Sequence, residues 1–409
     1  MGHDCWMPQH TDPILRVAMI GTAFMGRAHS NAWRSAPSFF DLPLHPQLSV
    51  LVGRDADRTS DAALSLGWAE ASTDWREVIA RDDIDLVDIC SPGDTHAEIA
   101  IAALEAGKHV LCEKPLARTV EEADRMTAAA DAAAVHGVVS MCGFSYRRTP
   151  ALALARRLIA EGRLGRVRHV RAQYLQDWLS SSDAPHTWRL DREVAGSGAL
   201  GDIGAHSIDT AQWLLGDSIT SVSAVLRTFV GDRPAIGESV GLGGVADADA
   251  ARREVTVDDA VAFTATFAGG ALGVFEASRM ATGRRNANRI EINGETGSVA
   301  FDFERMNELE FYDGRDGADV QGFRRIQVTE ASHPYLDAWW PPGHGIGYEH
   351  LFTHQVVDLV RAIGGGDRPE PSFRDALGVQ RVLDAVERSA ADDSRSTAVS
   401  TVARAEVLS

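Results

Sequence analysis

The 409-residue sequence has few cysteines, fewer basic than acidic residues and no long apolar run. Its four cysteines, Cys5, Cys90, Cys112 and Cys142, form no C-x-x-C pair, so we expect buried thiols rather than disulfides or zinc ligands. No apolar run approaches the roughly 18 to 20 residues of a membrane span, and the N-terminus lacks the basic-then-apolar order of a signal peptide. We therefore expect a cytoplasmic protein that holds no metal and does not bind membranes.

The deficit of basic residues also restricts the partners. Lysine and arginine together number 40 against 58 acidic residues, which gives a formal net charge of −18 and a pI near 5.2. Binding to a phosphate backbone requires a basic surface, so nucleic acid is not an expected partner. The apolar content of 44% is typical of a globular chain. A length prior of about 150 residues per domain predicts two or three units.

A glycine turn follows the first predicted strand, at residues 14–20. In the fingerprint G-x-G-x-x-G, the first glycine makes the tight turn, the second admits the pyrophosphate and the third permits helix packing. Gly21 and Gly26 fit the first and third positions, whereas Ala23 replaces the second. Because alanine is small, this turn, with Phe24 and Met25, could still hold a pyrophosphate at the helix N-terminus. A turn in a fold that binds no nucleotide remains the alternative.

The end of the next strand, residues 48–52, bears on the choice of cofactor. An NAD enzyme usually carries an acidic residue there for the ribose hydroxyls, whereas an arginine can accept a 2′-phosphate. Here Gly53 occupies the acidic position and Arg54 follows it. The sequence favours NADP, and NAD remains open because Asp55 could turn inward.

Unbroken apolar strands alternate with helical patterns as far as residue 147, which is typical of a parallel sheet covered on both faces. Thr95 and Glu98 have the spacing of a capping box at the start of one helix. The last strand of the unit is predicted at residues 138–146. We therefore predict a flexible tail over residues 1–13 and a doubly wound dinucleotide-binding domain over residues 14–147.

The pattern changes in residues 148–409, where apolar and polar residues alternate along successive strands. Such alternation predicts an α+β domain built on a large, mainly antiparallel open sheet with one covered face. Its uncovered face would be a subunit contact, so we expect a homo-oligomer, either a dimer or a tetramer. Residues 231–254 are rich in Gly, Ala and Asp without periodicity, which indicates a long surface loop or lid.

Two segments carry candidate chemical groups. Pro115 disfavours a helical backbone at Lys114, so the lysine is presented at a strand exit, where open α/β sheets bind ligands. Asp202, His206 and Asp209 lie at helical spacing i, i+4 and i+7, along one stripe. Oxidation of a secondary alcohol needs a base for the hydroxyl proton and a cation near the oxygen, which His206 and Lys114 could provide. The alternatives are a surface lysine, a helix-capping aspartate and a core histidine.

These motifs resemble those of the Gfo/Idh/MocA oxidoreductases, which act mainly on sugars and polyols. The similarity covers the Gly21 turn, Glu113-Lys114-Pro115 and the Asp202 to Asp209 helix, that is, nearly the whole chain. It implies a Rossmann domain, an NAD or NADP cofactor, and catalytic roles for Lys114, Asp202 and His206. It also implies a cis Lys114-Pro115 bond. The predicted cofactor-binding residues are Gly21, Ala23, Phe24, Met25, Gly26, Arg54, Ser91, Pro92, Glu113 and Lys114.

The segments at residues 24–30, 174–178 and 333–335 are similar to a branch of that family that oxidises the 3-hydroxyl of an anhydrosugar. Flat apolar rings suit a pyranose, and amide or guanidinium groups suit its hydroxyls. The predicted substrate-binding residues are Gln176, Trp178, Trp188, Arg189 and Tyr335, although each could be ordinary packing. A non-catalytic NAD(P)-binding sensor protein of the same fold is the alternative function.

Overall fold

The computed structural model describes residues 13–240, 243–246 and 250–400. Most of the predicted tail, with Cys5, therefore lies outside the described residues. Within the described part of the chain, no helix is both long enough and apolar enough to cross a membrane. Cys90, Cys112 and Cys142 are buried free thiols, as predicted.

The first half of the chain forms the predicted parallel sheet, in the order β3-β2-β1-β4-β5-β6. Its strands are β1 (Ile14–Ile20), β2 (His45–Val52), β3 (Glu70–Ser72), β4 (Leu86–Ile89), β5 (His109–Cys112) and β6 (Ser140–Cys142). Its helices are α1 (Phe24–Phe39), α2 (Ala56–Leu66), α3 (Trp75–Ile79), α4 (His96–Glu105) and α5 (Val120–Ala134). Strands β1 and β4 are almost wholly buried, because helices cover both faces. The Rossmann prediction is confirmed.

Two local predictions in this half are wrong. A 3-10 turn, Gly93–Thr95, precedes α4, so Thr95 already has helical dihedral angles. Its hydroxyl donates to the Pro92 oxygen at 2.7 Å instead of capping the helix. Glu98 accepts from Arg76 rather than completing a capping box. The strand predicted to reach residue 146 ends at Cys142, because the chain turns into a 3-10 helix at Ser145–Arg148.

The second half forms a nine-stranded sheet, in the order β18-β17-β16-β15-β7-β14-β13-β8-β19. These strands are β7 (Val167–Leu175), β8 (Ile219–Arg227), β13 (Ala260–Phe267), β14 (Leu272–Ser278), β15 (Ala287–Gly294), β16 (Gly297–Asp302), β17 (Glu308–Asp313), β18 (Arg324–Gln327) and β19 (Thr397–Ala398). Strands β7 and β14 pair in parallel and the other neighbours are antiparallel. Side chains of β13 and β14 alternate between buried and exposed, so one face of the sheet is open, as predicted.

The prediction of a long loop over residues 231–254 is wrong. The chain there forms β9 (Asp232–Pro234), β10 (Ile236–Val240), β11 (Gly243–Ala246) and β12 (Arg252–Glu254). Strand β9 pairs with β12, and β10 pairs with β11, both antiparallel. Strands of three to five residues are too short to show a periodicity, so the Gly- and Ala-rich composition concealed them.

Helices of the second half lie on both sheets. They are α6 (Pro150–Ala160), α7 (Arg192–Ala195), α8 (Ala205–Leu215), α9 (Tyr348–Ile363) and α10 (Phe373–Ala391). Phe352 and Val357 of α9 share a core with Trp33 of α1, whereas α10 packs between α5 and β8. The chain therefore returns to its first sheet after building the second. The predicted domain boundary near residue 147 stays a prediction.

Candidate functional site

A cavity of about 220 Å³ lies where the carboxyl ends of the six-stranded sheet face the nine-stranded sheet. Its wall contains most of the residues predicted for cofactor, substrate and catalysis. These residues are Ala23, Phe24, Met25, Ser91, Pro92, Glu113, Lys114, Gln176, Trp178, Trp188, Arg189, Asp202 and His206. The structure thus brings residues from six separate stretches of the sequence to a single cleft.

Four predicted residues are not part of the cavity wall. Gly21 and Gly26 form the turn beside it, whereas Tyr335 and Arg54 lie elsewhere. The Tyr335 hydroxyl donates to Asp358 Oδ2 at 2.9 Å, and its ring stacks on His354 with a centroid distance of 4.5 Å. Tyr335 is thus engaged in packing the segment before α9, and it does not line the cleft. Arg54 is exposed and also lies outside the cavity wall.

The glycine turn fits a dinucleotide. A Cβ at Gly26 would lie 2.1 Å from the Gly21 carbonyl oxygen, so no side chain fits between the turn and α1. Ala23 stands at the N-cap without a side-chain cap, and the first turn of α1 holds no acidic residue. The free N–H groups at the start of a helix attract a phosphate, and these open toward the cleft beside Phe24 and Met25.

The ribose position has little space for a carboxylate. A Cβ at Gly53 would lie 2.2 Å from Thr59 Oγ1, so an acidic residue there would displace Thr59. Asp55 does not turn inward, because its carboxylate caps α2 by accepting from the Arg58 N–H at 2.9 Å. A ribose at this strand end would therefore have the side chains of Thr22 and Thr59 and the exposed Arg54 nearby, and no carboxylate from Gly53 or Asp55.

Lys114 and Asp202 meet across the cleft. The Lys114-Pro115 peptide bond is cis, as the family resemblance implied. The Lys114 Nζ donates to the main-chain oxygen of Asp202 at 2.7 Å and lies 3.4 Å from its Oδ1. Asp202 belongs to a π-helical turn, Leu200–Gly204, which precedes α8. The helix was predicted to begin near Asp202, but its first turn is π-helical rather than α-helical. Such turns are frequent at functional sites.

The Asp202 carboxylate is held in its charged form. Burial raises the pKa of Asp202, but Lys114, Arg279 and Arg189 outweigh burial and lower the pKa to about 2. Arg279 is fully buried, and its Nη1 lies 3.5 Å from Asp202 Oδ2. Asp202 is therefore ionised at neutral pH.

His206 is held in its neutral form. Burial lowers the pKa of His206 well below 6.5, and the Lys114 charge lowers it further, although Asp202 acts in the opposite direction. Its ring lies 4.6 Å from the Tyr146 ring between centroids, and its Nδ1 has no hydrogen-bond partner among the described residues. A neutral imidazole on the wall of the cleft can accept a proton.

Asp209 does not share this site. Its carboxylate accepts from Arg147 Nε at 2.9 Å and from Nη2 at 2.6 Å, in a buried two-point ion pair. The predicted stripe of Asp202, His206 and Asp209 thus divides: Asp202 and His206 line the cleft, whereas Asp209, further along α8, is paired with Arg147.

The sequence analysis missed a chain of hydrogen bonds along the cleft. Tyr174 Oη donates to Asn286 Oδ1 at 2.7 Å, so the 2.6 Å contact between the Tyr146 and Tyr174 hydroxyls uses the Tyr146 proton. Gln176 Nε2 donates to the same Asn286 oxygen, and Trp178 Nε1 donates to Gln176 Oε1. The Tyr146 oxygen is left as an acceptor. No sequence motif marked Tyr146 or Arg279, since only the fold brings them to the cleft, and Tyr174 stood in the segment 174–178 without a predicted role.

A second missed cluster supports Glu113. His29 of α1 is buried, with Nδ1 2.9 Å from Asp88 Oδ2 and Nε2 3.1 Å from Glu113 Oε1. Burial lowers the pKa of His29, but Asp88 outweighs burial and raises the pKa well above 6.5. A protonated His29 therefore joins Asp88 within β4 to Glu113, which follows the neighbouring strand β5. The Lys114 N–H lies 3.3 Å from the other Glu113 oxygen.

Comparison with known proteins places these features in a family. Residues 15–141 match an oxidoreductase family with an NAD-binding Rossmann fold, and residues 152–300 match the GFO/IDH/MocA C-terminal domain. The chain is 44% identical over 383 residues to levoglucosan dehydrogenase of Pseudarthrobacter phenanthrenivorans, which covers 93% of this chain and 97% of the relative.

Solved structures give the same result. An oxidoreductase domain protein from Kribbella flavida is 61% identical, with a TM-score of 0.90 and coverage of 95% of this chain and 100% of that one. A levoglucosan dehydrogenase complex with NADH and levoglucosan is 42% identical, with a TM-score of 0.88 and the same coverage. The similarity thus extends over both sheets.

The His29 cluster predicts a pH-dependent stability. Because the folded-state pKa of His29 lies well above 6.5, its contribution is complete below pH 6.5 and is lost as pH rises through the folded-state pKa. Each unit of difference corresponds to about 1.4 kcal/mol. We expect His29→Gln to lower the urea midpoint strongly at pH 6 and less at alkaline pH. His136→Gln, at an exposed position, is the control. An equal loss for His29→Gln at all pH values would contradict a charged His29.

Proposed function

Because the chain belongs to the Gfo/Idh/MocA oxidoreductase family, we propose that it oxidises a secondary hydroxyl of a cyclic sugar, anhydrosugar, glycoside or polyol, with a nicotinamide cofactor as the hydride partner. The observation that carries this proposal is the presence of Lys114, Asp202 and His206 in the cavity that also contains the glycine turn. Similarity to a dehydrogenase of an anhydrosugar supports a carbohydrate substrate.

The cofactor would lie along the strand ends. The N-terminus of α1 would hold its diphosphate, and Ser91, Pro92 and Glu113 would border its nicotinamide end. When bound, the nicotinamide accepts or returns the hydride. The Rossmann domain is of the NAD-binding type, and NADP remains a proposal that rests on Arg54.

Lys114 and His206 would divide the proton chemistry. The Lys114 ammonium would donate to the reacting oxygen and favour the developing alkoxide. The neutral His206 imidazole would accept the hydroxyl proton and return it in the reverse direction. Asp202 orients Lys114 through the contacts described above, and its carboxylate could accept from a neighbouring hydroxyl.

The other wall of the cleft would recognise the ring. Trp178 and Trp188 offer flat apolar faces to a pyranose, whereas Gln176 and Arg189 offer polar groups to its hydroxyls. The Tyr146 oxygen, whose proton is engaged with Tyr174, can accept from a substrate hydroxyl. Tyr335 is not part of this proposal, because it lies outside the cleft.

Replacing either group that handles the proton tests the mechanism. We expect His206→Ala and Lys114→Ala to reduce kcat for an anhydrosugar by about 10²- to 10⁴-fold, because general acid–base and oxyanion contacts act mainly in the transition state. In the wild type, kcat/KM should fall only at pH well below 6.5, where His206 becomes protonated. Stopped-flow and steady-state absorbance of the reduced nicotinamide measure both.

His344→Ala, at an exposed position, is the matched control for this experiment. NADH affinity, measured by fluorescence titration, should change less than about threefold in His206→Ala. Full activity of either variant would contradict the assigned roles. A wild type that binds NADH but turns over no sugar or polyol would favour the sensor alternative.

Arg54 predicts the choice between the two cofactors. If its guanidinium binds the 2′-phosphate, Arg54→Ala should weaken NADP⁺ about tenfold or more relative to NAD⁺, because a hydrogen bond to a charged group contributes about 1.5–3 kcal/mol. Arg58→Ala, on the next exposed turn, is the control. Ratios of kcat/KM for the two cofactors measure the effect, and an unchanged ratio would contradict a contact between Arg54 and the 2′-phosphate.

The open face of the nine-stranded sheet supports the proposed homo-oligomer. Val225 of β8 and Leu272 and Val274 of β14 are 41%, 51% and 41% exposed on the two strands that flank β13 on that face. An exposed apolar group of this kind marks a protein contact. We expect a dimer or tetramer by light scattering and dissociation in Val274→Glu, whereas Leu64→Glu, on the exposed side of α2, should keep the wild-type mass. A monomeric wild type would contradict the proposal.

A further inference from the structure

A segment without regular secondary structure carries the substrate wall. Between the end of β7 and the short 3-10 turn Trp188–Leu190, the chain has few strand or helix hydrogen bonds. Trp178 lies at one end of this segment, and Trp188 and Arg189 lie at the other, and all three line the cleft. Main-chain oxygens between them need donors from elsewhere in the protein.

Arg233 of β9 provides those donors. It is 0% exposed, and its Nη2 donates to the Leu179 oxygen at 2.8 Å while Nη1 donates to the Ser181 oxygen at 2.6 Å. Nη1 also lies 3.5 Å from the Ala184 oxygen. A planar guanidinium presents several donors in one fixed fork, so it can hold several carbonyl groups in one geometry.

Strands β9 and β12 pair as a hairpin, and this β9–β12 hairpin also fixes the far end of the segment. His186 donates its main-chain N–H to the Pro234 oxygen at 2.7 Å, and its Nε2 lies 2.9 Å from the Glu254 oxygen on β12. Thr256 N donates to the Leu190 oxygen. Leu179, Leu190, Val255 and Val257 form a small apolar core under Trp178. The hairpin therefore packs behind the wall. The Arg233 side chain holds one end of the segment, and main-chain groups of the hairpin hold the other.

Burial of the Arg233 charge is costly in free energy unless hydrogen bonds or an opposite charge compensate for it. Burial lowers the pKa of Arg233, and the nearest described compensation is the charge of Asp259. Asp259 is itself buried and accepts from the Phe229 and Val230 N–H groups at the start of the hairpin. The hydrogen bonds of Arg233 go to main-chain oxygens of the wall segment rather than to a carboxylate.

We propose that Arg233 is a positioning residue that sets the shape of the substrate pocket by holding the segment between Trp178 and Arg189 against the β9–β12 hairpin. The proposal rests on the proposed function, since it assigns the pocket to a sugar. The residue touches neither the cleft nor the cofactor turn, so it acts only through the segment that it holds. Substrate affinity and selectivity should therefore depend on it, and the chemical step should not.

Steady-state kinetics of Arg233→Met and Arg233→Lys test this role with levoglucosan and with a bulkier methyl glucoside. We expect the KM for levoglucosan to rise tenfold or more in Arg233→Met, with kcat within about threefold and the KM for the cofactor within about twofold. The preference for the smaller sugar should weaken as the wall loosens. Arg233→Lys, which keeps the charge but not the fork, should recover part of the loss.

Arg253→Gln is the matched control, because this arginine lies on the same hairpin, is exposed and has a 3.7 Å ion pair to Asp191. It should leave all three constants unchanged. A lower melting temperature in Arg233→Met with an unchanged KM would show a merely structural role and overturn the proposal. Equal losses in sugar and cofactor KM would also overturn it, because the effect would then not be local.

His186→Phe provides the same test if Arg233→Met does not fold, since it removes the side-chain contact to β12 and keeps the main-chain one. Its KM for levoglucosan should rise while kcat changes little, and no change in either would contradict the proposal. A wild type inactive on every sugar would instead contradict the proposed function. An active wild type with unaffected variants would contradict the positioning role alone.

Discussion

The Lys114 ammonium group donates to the main-chain oxygen of Asp202, and this contact joins a strand end of the six-stranded sheet to a turn beside the nine-stranded sheet. Each partner is fixed by its own surroundings. Lys114 follows β5 and precedes a cis proline, while Asp202 lies in a π turn and faces the buried Arg279. Because α10 packs between α5 and β8 and one core of buried residues extends through both sheets, the distance across the cleft is set by buried side chains on both sides.

The electrostatics of the cleft depend on two histidines in opposite protonation states. His29 lies between Asp88 and Glu113, so the carboxylates keep it protonated despite its burial. His206 lies among aromatic rings near the Lys114 charge, so burial and that charge keep it neutral. The charged histidine is hydrogen-bonded to Asp88 and Glu113, and the neutral one is the group that we propose as the proton acceptor of the cleft. One residue type thus serves structure and chemistry because its neighbours differ.

The sequence predicted the features that depend on local patterns. The parallel sheet, the glycine turn and the alternating strands follow from periodicity, and Lys114 follows from a proline beside a strand. What it could not predict depends on distant contacts. Tyr146 and Arg279 reach the cleft only through the relative placement of the sheets. The Tyr335 hydroxyl donates to Asp358 on α9, so Tyr335 does not line the cleft. The capping box at Thr95 failed because a 3-10 turn precedes the helix, and short pairings hidden by composition replaced the predicted loop.

The two walls of the cleft consist of different kinds of secondary structure. The proposed cofactor wall consists of a glycine turn and strand ends. An added side chain there would clash with the main chain, as at Gly26, where a Cβ would lie 2.1 Å from a carbonyl oxygen. The substrate wall consists of an irregular segment, held by side-chain donors from a hairpin that is otherwise separate from the sheet. A substitution in the hairpin can therefore move Trp178 or Trp188 without disturbing Lys114 and the strand that carries it. The proposed substrate wall and the proposed catalytic groups therefore depend on separate sets of contacts, so one can change while the other stays in place.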